Sequence, residues 1–142
     1  MHAGGGDRLR VVGALSTVVV GAVHLQQYAD FIKDVPTIGV LFLLNALGAG
    51  AVCLLLATRA RVLGALAGVA VSATALVSIA VSRYVAGGLF DYAEPTLRGP
   101  VLISVLAEVI AVVSLSAYLA GARSAPKPGS RVERRALPST AR

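Results

Sequence analysis

Apolar residues fill four long stretches of this chain, and polar residues crowd into the short intervals between them. Val11 to Ala29, Val35 to Thr58 and Val62 to Ser82 carry no charge, and Gly99 to Ala122 carries only Glu108. Each stretch is close to the roughly 20 residues that cross a hydrocarbon core of roughly 30 Å as a helix. The pattern predicts an all-α fold, a membrane-spanning four-helix bundle with helices over about residues 9–31, 36–58, 62–85 and 101–120. Residues 1–8 read as a flexible Gly-rich leader. Residues 121–142 read as a disordered basic tail, in which Pro126, Pro128 and Pro138 exclude a long helix. The link at 59–61 is short enough to make helices 2 and 3 antiparallel neighbours. Pro36 suits the first turn of helix 2, where its missing N–H would have no partner anyway. Gly87 and Gly88 end helix 3, and Leu89 to Pro100 forms the longest loop.

Composition removes several alternatives. Of the 142 residues, 56% are hydrophobic and 14% charged, against about 25% charged in an average soluble domain. A soluble domain, a disordered chain and a large aqueous catalytic domain are excluded, because little remains from which to build them. Cys53 is the only cysteine, so an intrachain disulfide and a CxxC redox pair are excluded as well. The N-terminal run has the basic flank of a signal peptide, but it is long, holds His24 and Tyr28, and lacks a small-residue cleavage site. It reads as a retained first helix.

Charge then sets an expected orientation. Arg8 and Arg10 precede the first span, Arg59 and Arg61 fill the second link, and Arg123, Lys127, Arg131, Arg134, Arg135 and Arg142 follow the fourth, so ten of the thirteen basic residues share one side. Lys and Arg accumulate on the cytoplasmic side, which predicts a multi-pass cell-membrane protein with both termini cytoplasmic. The lipid bilayer is its first partner, and the tail can attract anionic lipid headgroups at about 1 kcal/mol per basic residue near the surface. A second membrane protein or a second copy of the chain is compatible with so little soluble mass. Nucleic acid is not expected, since no aromatics are interleaved with the basic residues.

Candidate chemistry lies at one depth. His24 falls seven residues before Phe31, Asn45 eight after Thr37, Ser78 seven before Val85 and Glu108 seven after Val101. At the helical rise these four sit roughly 10 to 12 Å below the outer boundary. Ionisable groups facing lipid are costly, so His24 and Glu108 should point into the bundle and toward each other or Asn45. Tyr28 lies one turn from His24, while Gln27, Arg83, Tyr84, Asp91 and Glu94 belong above the layer, near an outward-facing mouth. The candidates for binding a ligand or proton are therefore His24, Tyr28, Asn45, Ser78, Arg83, Glu94 and Glu108. Imidazole with carboxylate also suits a transition metal, with His24 and Glu108 as the candidate ligands, but no HxxxH, HExxH or CxxC spacing accompanies them. No cofactor is indicated and no catalytic residue assigned: the chain has no P-loop, no GxGxxG before a strand and no GxSxG elbow. The competing structural account is that His, Asn, Ser and Glu only fix helix register through interhelical hydrogen bonds, at about 0.6 to 2 kcal/mol each.

The run His24-Leu25-Gln26-Gln27-Tyr28, then Pro36-Thr37-Ile38-Gly39-Val40-Leu41-Phe42-Leu43-Leu44-Asn45, resembles a group of small four-helix membrane proteins from high-GC bacteria. Gly88-Leu89-Phe90, Glu94 and Glu108 are similar to later parts of that group's pattern, and eleven Arg against two Lys fit such a genome. The resemblance spans about Val11 to Ala120 and implies a four-helix membrane fold without implying an activity. Two function classes follow. Composition leans toward an accessory or assembly subunit of a membrane complex. The polar layer supports a binding or transport protein with an outward-facing pocket for a small ligand, metal ion or proton. An enzyme ranks below both.

Overall fold

The computed structural model of the protein describes residues 3–94 and 96–124. It is all-α, with four helices among the described residues: α1, Ala3–Gln27; α2, Ile38–Ala57; α3, Arg61–Tyr84; and α4, Gly99–Arg123. All four are long and apolar enough to cross a membrane. Their surfaces match that solvent. Leu15, Leu47, Leu54 and Leu106 are each more than 60% exposed, whereas Thr17, Ala49, Ala65, Ser72, Ser104, Ala111 and Ser114 are buried. In lipid no hydrophobic force drives large apolar side chains inward, so small residues that allow close backbone approach take the interior.

The helices alternate in direction around a square. α1 packs on α2 and α4, and α3 packs on the same two; α1 also touches α3 across the middle, while the backbones of α2 and α4, among the described residues, stay apart and only their side chains share a core. One end of the bundle carries Arg10, Arg59, Arg61 and Arg123 and is called the basic end below; the other carries Lys33, Glu94 and Arg98. At the basic end Arg10 donates to the Leu56 carbonyl (2.7 Å) in the last turn of α2, where the helix leaves carbonyls unpaired. The core of this half is Leu115, fully buried with Val52, Leu56, Ala65 and Tyr118. A methyl group at Gly13 of α1 or at Gly68 of α3 would collide with the Leu115 side chain. At Gly64 it would fall 2.8 Å from the Leu56 nitrogen, so α2 and α3 approach backbone to backbone there.

Several boundaries differ from the sequence expectation. α1 begins at Ala3, so the expected leader continues the helix, each added residue gaining one backbone hydrogen bond once the span has nucleated. α1 does not stop at Gln27 either: Tyr28–Ile32 form a π-helical turn closed by Lys33 N donating to Tyr28 O (3.0 Å). α2 starts at Ile38 rather than Pro36, because Thr37 takes a left-handed φ of 65° and Ile38 N donates to Pro36 O instead. Gly39 is required beside this turn, since a Cβ there would sit 2.8 Å from the Ile32 carbonyl oxygen. α4 runs on through Arg123; the rest of the expected basic tail lies outside the described residues.

Candidate functional site

α2 and α3 are pinned together at the basic end, where side chains of α2 and α4 meet around Leu115, and space opens in the other half of the bundle. It forms a cavity of about 390 Å³. α1 contributes His24 and Gln27 to its lining, and all four residues of the expected polar layer, His24, Asn45, Ser78 and Glu108, are part of it. Tyr28 and Arg83 are not: Tyr28 sits on the π turn, and the Arg83 guanidinium donates to the Glu94 carbonyl (3.2 Å).

His24 and Glu108 are both buried, 8% and 2% exposed, and meet with Nε2 3.9 Å from Oε1. Three hydrogen-bonding contacts set their chemistry. The Val20 carbonyl, 2.9 Å from Nδ1, can only accept, so Nδ1 carries a proton and donates. Nε2 of the neutral ring is then the lone-pair nitrogen facing the carboxyl. Ser104, one turn before Glu108, donates to Oε1 at 3.0 Å and lies 3.5 Å from Nδ1. One proton placed between Nε2 and the carboxyl gives either imidazole with carboxylic acid or imidazolium with carboxylate. The proton can thus shift from one partner to the other without changing the pair's net charge once the 3.9 Å gap closes to hydrogen-bond distance, and giving it up leaves the pair with one negative charge. The Phe42 ring covers the imidazole, with centroids 4.9 Å apart.

Asn45 presents a different feature. Its Oδ1 is buried without a hydrogen-bond partner among the described residues. Ser78 is satisfied by its own helix, donating to the Thr74 carbonyl (2.9 Å). As for metal, no group of three or more His, Cys, Asp or Glu side chains comes together among the described residues, so His24 and Glu108 offer two donors.

The end of the cavity away from the basic end is walled by Leu89, Tyr92 and Glu94 of the α3–α4 loop. Leu89 and Tyr92 exchange two backbone hydrogen bonds, 2.8 and 3.0 Å, around Phe90 and Asp91, whose φ values of 49° and 64° give a type I′ turn. Ser82 of α3 ties the loop down, donating to Tyr92 O (3.0 Å) and accepting from Glu94 N (2.9 Å). Glu94 is 6% exposed; its carboxylate accepts from Tyr92 Oη (2.9 Å) and from Arg98 (3.5 Å). Glu94 therefore belongs to a loop clamp. Sequence reasoning passed over this role for Ser82, Tyr92 and Glu94, since it depends on a hairpin with no glycine in its turn. Ser104 had a readable signal, its position four residues before Glu108 on one helix face.

The clamp has a pH signature. Burial, with the hydrogen bond to Glu94 and that carboxylate's charge, pushes the Tyr92 phenol from its ordinary 10.0 up to about 12. The folded state thus favours the protonated phenol. Its contribution is complete below pH 10 and is lost as pH rises toward about 12. Phenolate absorbance titrated in detergent will show one tyrosine ionising late, and that late component will be missing in Tyr92→Phe; an unchanged titration curve in the variant refutes the clamp.

No protein-family model, curated protein or solved structure matches this chain.

Proposed function

We propose that this is a membrane-embedded binding protein whose cavity holds a small ligand beside the His24–Glu108 pair. The observation that supports it best is the cavity itself, about 390 Å³ and lined by a buried histidine, a buried carboxyl and an asparagine whose amide oxygen has no partner among the described residues. Residues that only fixed helix register would close on one another, as the small residues do around Leu115 at the basic end. Ligand pockets commonly measure about 300 to 1,000 Å³ and combine apolar walls with a few placed polar groups. The accessory-subunit reading draws on low soluble mass alone. The exposed leucines it would use for docking are what a helix in lipid also presents.

In this reading both termini face the cytoplasm and the loop clamp faces outward, supported by Arg8, Arg10, Arg59, Arg61 and Arg123 at one end against Lys33, Arg83 and Arg98 at the other. In a Cys53→Ala background, Ser130→Cys and Ala93→Cys are expected to react with an impermeant maleimide from opposite sides; reaction from one side refutes the topology. The function is tested by mild extraction and native mass spectrometry. A bound small molecule, absent from Ala75→Phe where a ring fills the cavity wall, is the expected result. A stoichiometric protein partner with no small molecule overturns the reading in favour of the accessory role.

A further inference from the structure

We propose that the cavity takes a lipid-soluble, uncharged molecule bearing a hydroxyl donor on an apolar body, and that this molecule reaches it sideways from the bilayer between α2 and α3. The inference rests on the pocket reading above and adds the class of ligand and its route.

The route follows from where the walls are closed. α2 and α3 touch closely at Gly64 against Leu55 and Leu56, and a Cβ at Gly48 would still lie 3.6 Å from Val71. Farther from the basic end, Leu41 and Leu44 of α2 line the cavity yet are 38% and 56% exposed, and Thr74 of α3 both lines it and is exposed. Side chains that belong to a cavity and to the outer surface at once mark an opening. This one lies on the helix faces, where lipid would be, while the end of the bundle is walled by Tyr92 and Glu94 fastened to Ser82.

The ligand class follows from the lining. Asn45 lines the cavity and its Oδ1 is buried without a partner among the described residues, so a turn of the amide that brings Oδ1 to the cavity breaks no hydrogen bond of that oxygen and lets a ligand O–H gain one. With one proton between them, His24 and Glu108 have no net charge, and no lysine or arginine lines the cavity among the described residues. An anionic ligand would find nothing to balance it, and the carboxylate of the end wall, Glu94, is already held by Tyr92 and Arg98. Ile38, Phe42, Val71, Ile79, Val101 and Val105 supply the apolar body's surroundings.

The probe is 2-naphthol, with the full chain in lipid nanodiscs. The chain has no tryptophan, so naphthol emission is read without indole background. Saturable binding above partition into empty nanodiscs is expected, with naphthalene, the same body without the hydroxyl, about tenfold weaker. Asn45→Leu should bring naphthol down to the naphthalene level and leave naphthalene unchanged, with Asn45→Ala as the second variant should Asn45→Leu not fold. Ala75→Phe should abolish the binding of both. A naphthol sulfonate, charged and water-soluble, should not bind; binding as tight as that of 2-naphthol overturns both the ligand class and the route. Equal affinity for naphthol and naphthalene, both lost in Ala75→Phe, overturns the hydroxyl inference and leaves the pocket reading standing. Absence of saturable binding by either overturns the inference and the pocket reading together.

Discussion

Glu108→Leu is expected to cost the bundle about 1 to 2 kcal/mol, while Glu108→Gln leaves its stability within about 0.5 kcal/mol. Leucine strands two groups: the Ser104 hydroxyl loses its 3.0 Å acceptor and His24 Nε2 loses the carboxyl 3.9 Å away. Glutamine can keep both partners with its amide nitrogen at the Oε1 position, one N–H donated to the Ser104 hydroxyl and the other facing the Nε2 lone pair. It cannot release a proton, so the pair is frozen in one state. Unfolding in mixed micelles gives the stability, and complementation of a deletion phenotype gives the function. A folded Glu108→Gln protein that fails to complement supports a carboxyl that titrates in use. Full complementation by both Glu108→Gln and His24→Ala at normal membrane levels refutes a functional pair.

The other large effect is expected at the basic end. Leu115→Ala should lower stability by about 2 to 5 kcal/mol, the range for a fully buried leucine whose surroundings cannot collapse. The surroundings here are the bare backbones of Gly13 and Gly68, which have no side chains to move into the space. The converse substitution, Gly13→Val, overfills the same site and should cost about 1 to 3 kcal/mol. Gly50, with nothing within 4 Å of its would-be Cβ, serves as the control, and Gly50→Ala should leave the unfolding midpoint unchanged or slightly raised. Equal losses at Gly13 and Gly50 would refute this account of the core.

The four helices were legible because bilayer thickness fixes helix length, and an apolar run of that length with at most one charge has few other uses. The depth of His24, Asn45, Ser78 and Glu108 was legible for a related reason: a constant helical rise turns residue counts into distance. That these four surround a cavity was not. Whether helices close on one another depends on pairwise fit, such as Gly64 against Leu56, and a single sequence does not say which small residue meets which backbone. The π turn at Tyr28–Ile32 and the left-handed Thr37 were hidden too, since each is imposed by how α1 hands over to α2 rather than by local propensity. Glu94 does reach the cavity wall, but its burial under Tyr92 and Arg98 is a tertiary outcome that its place in a loop did not announce.

The position of Leu115 also bears on how the chain is made. Helices leave the insertion machinery in order, and of these four α4 follows the other three. Until it arrives, Gly13 and Gly68 face an unfilled gap and His24 has no carboxyl opposite it, although α1, α2 and α3 are already in the bilayer. The first three helices therefore form an assembly that lacks its central side chain and half of its buried pair, and α4 delivers both at once. A chain that stops before Glu108 holds α1, α2 and α3 with neither the Leu115 side chain between Gly13 and Gly68 nor a carboxyl opposite His24, so both halves of the bundle wait on the same helix.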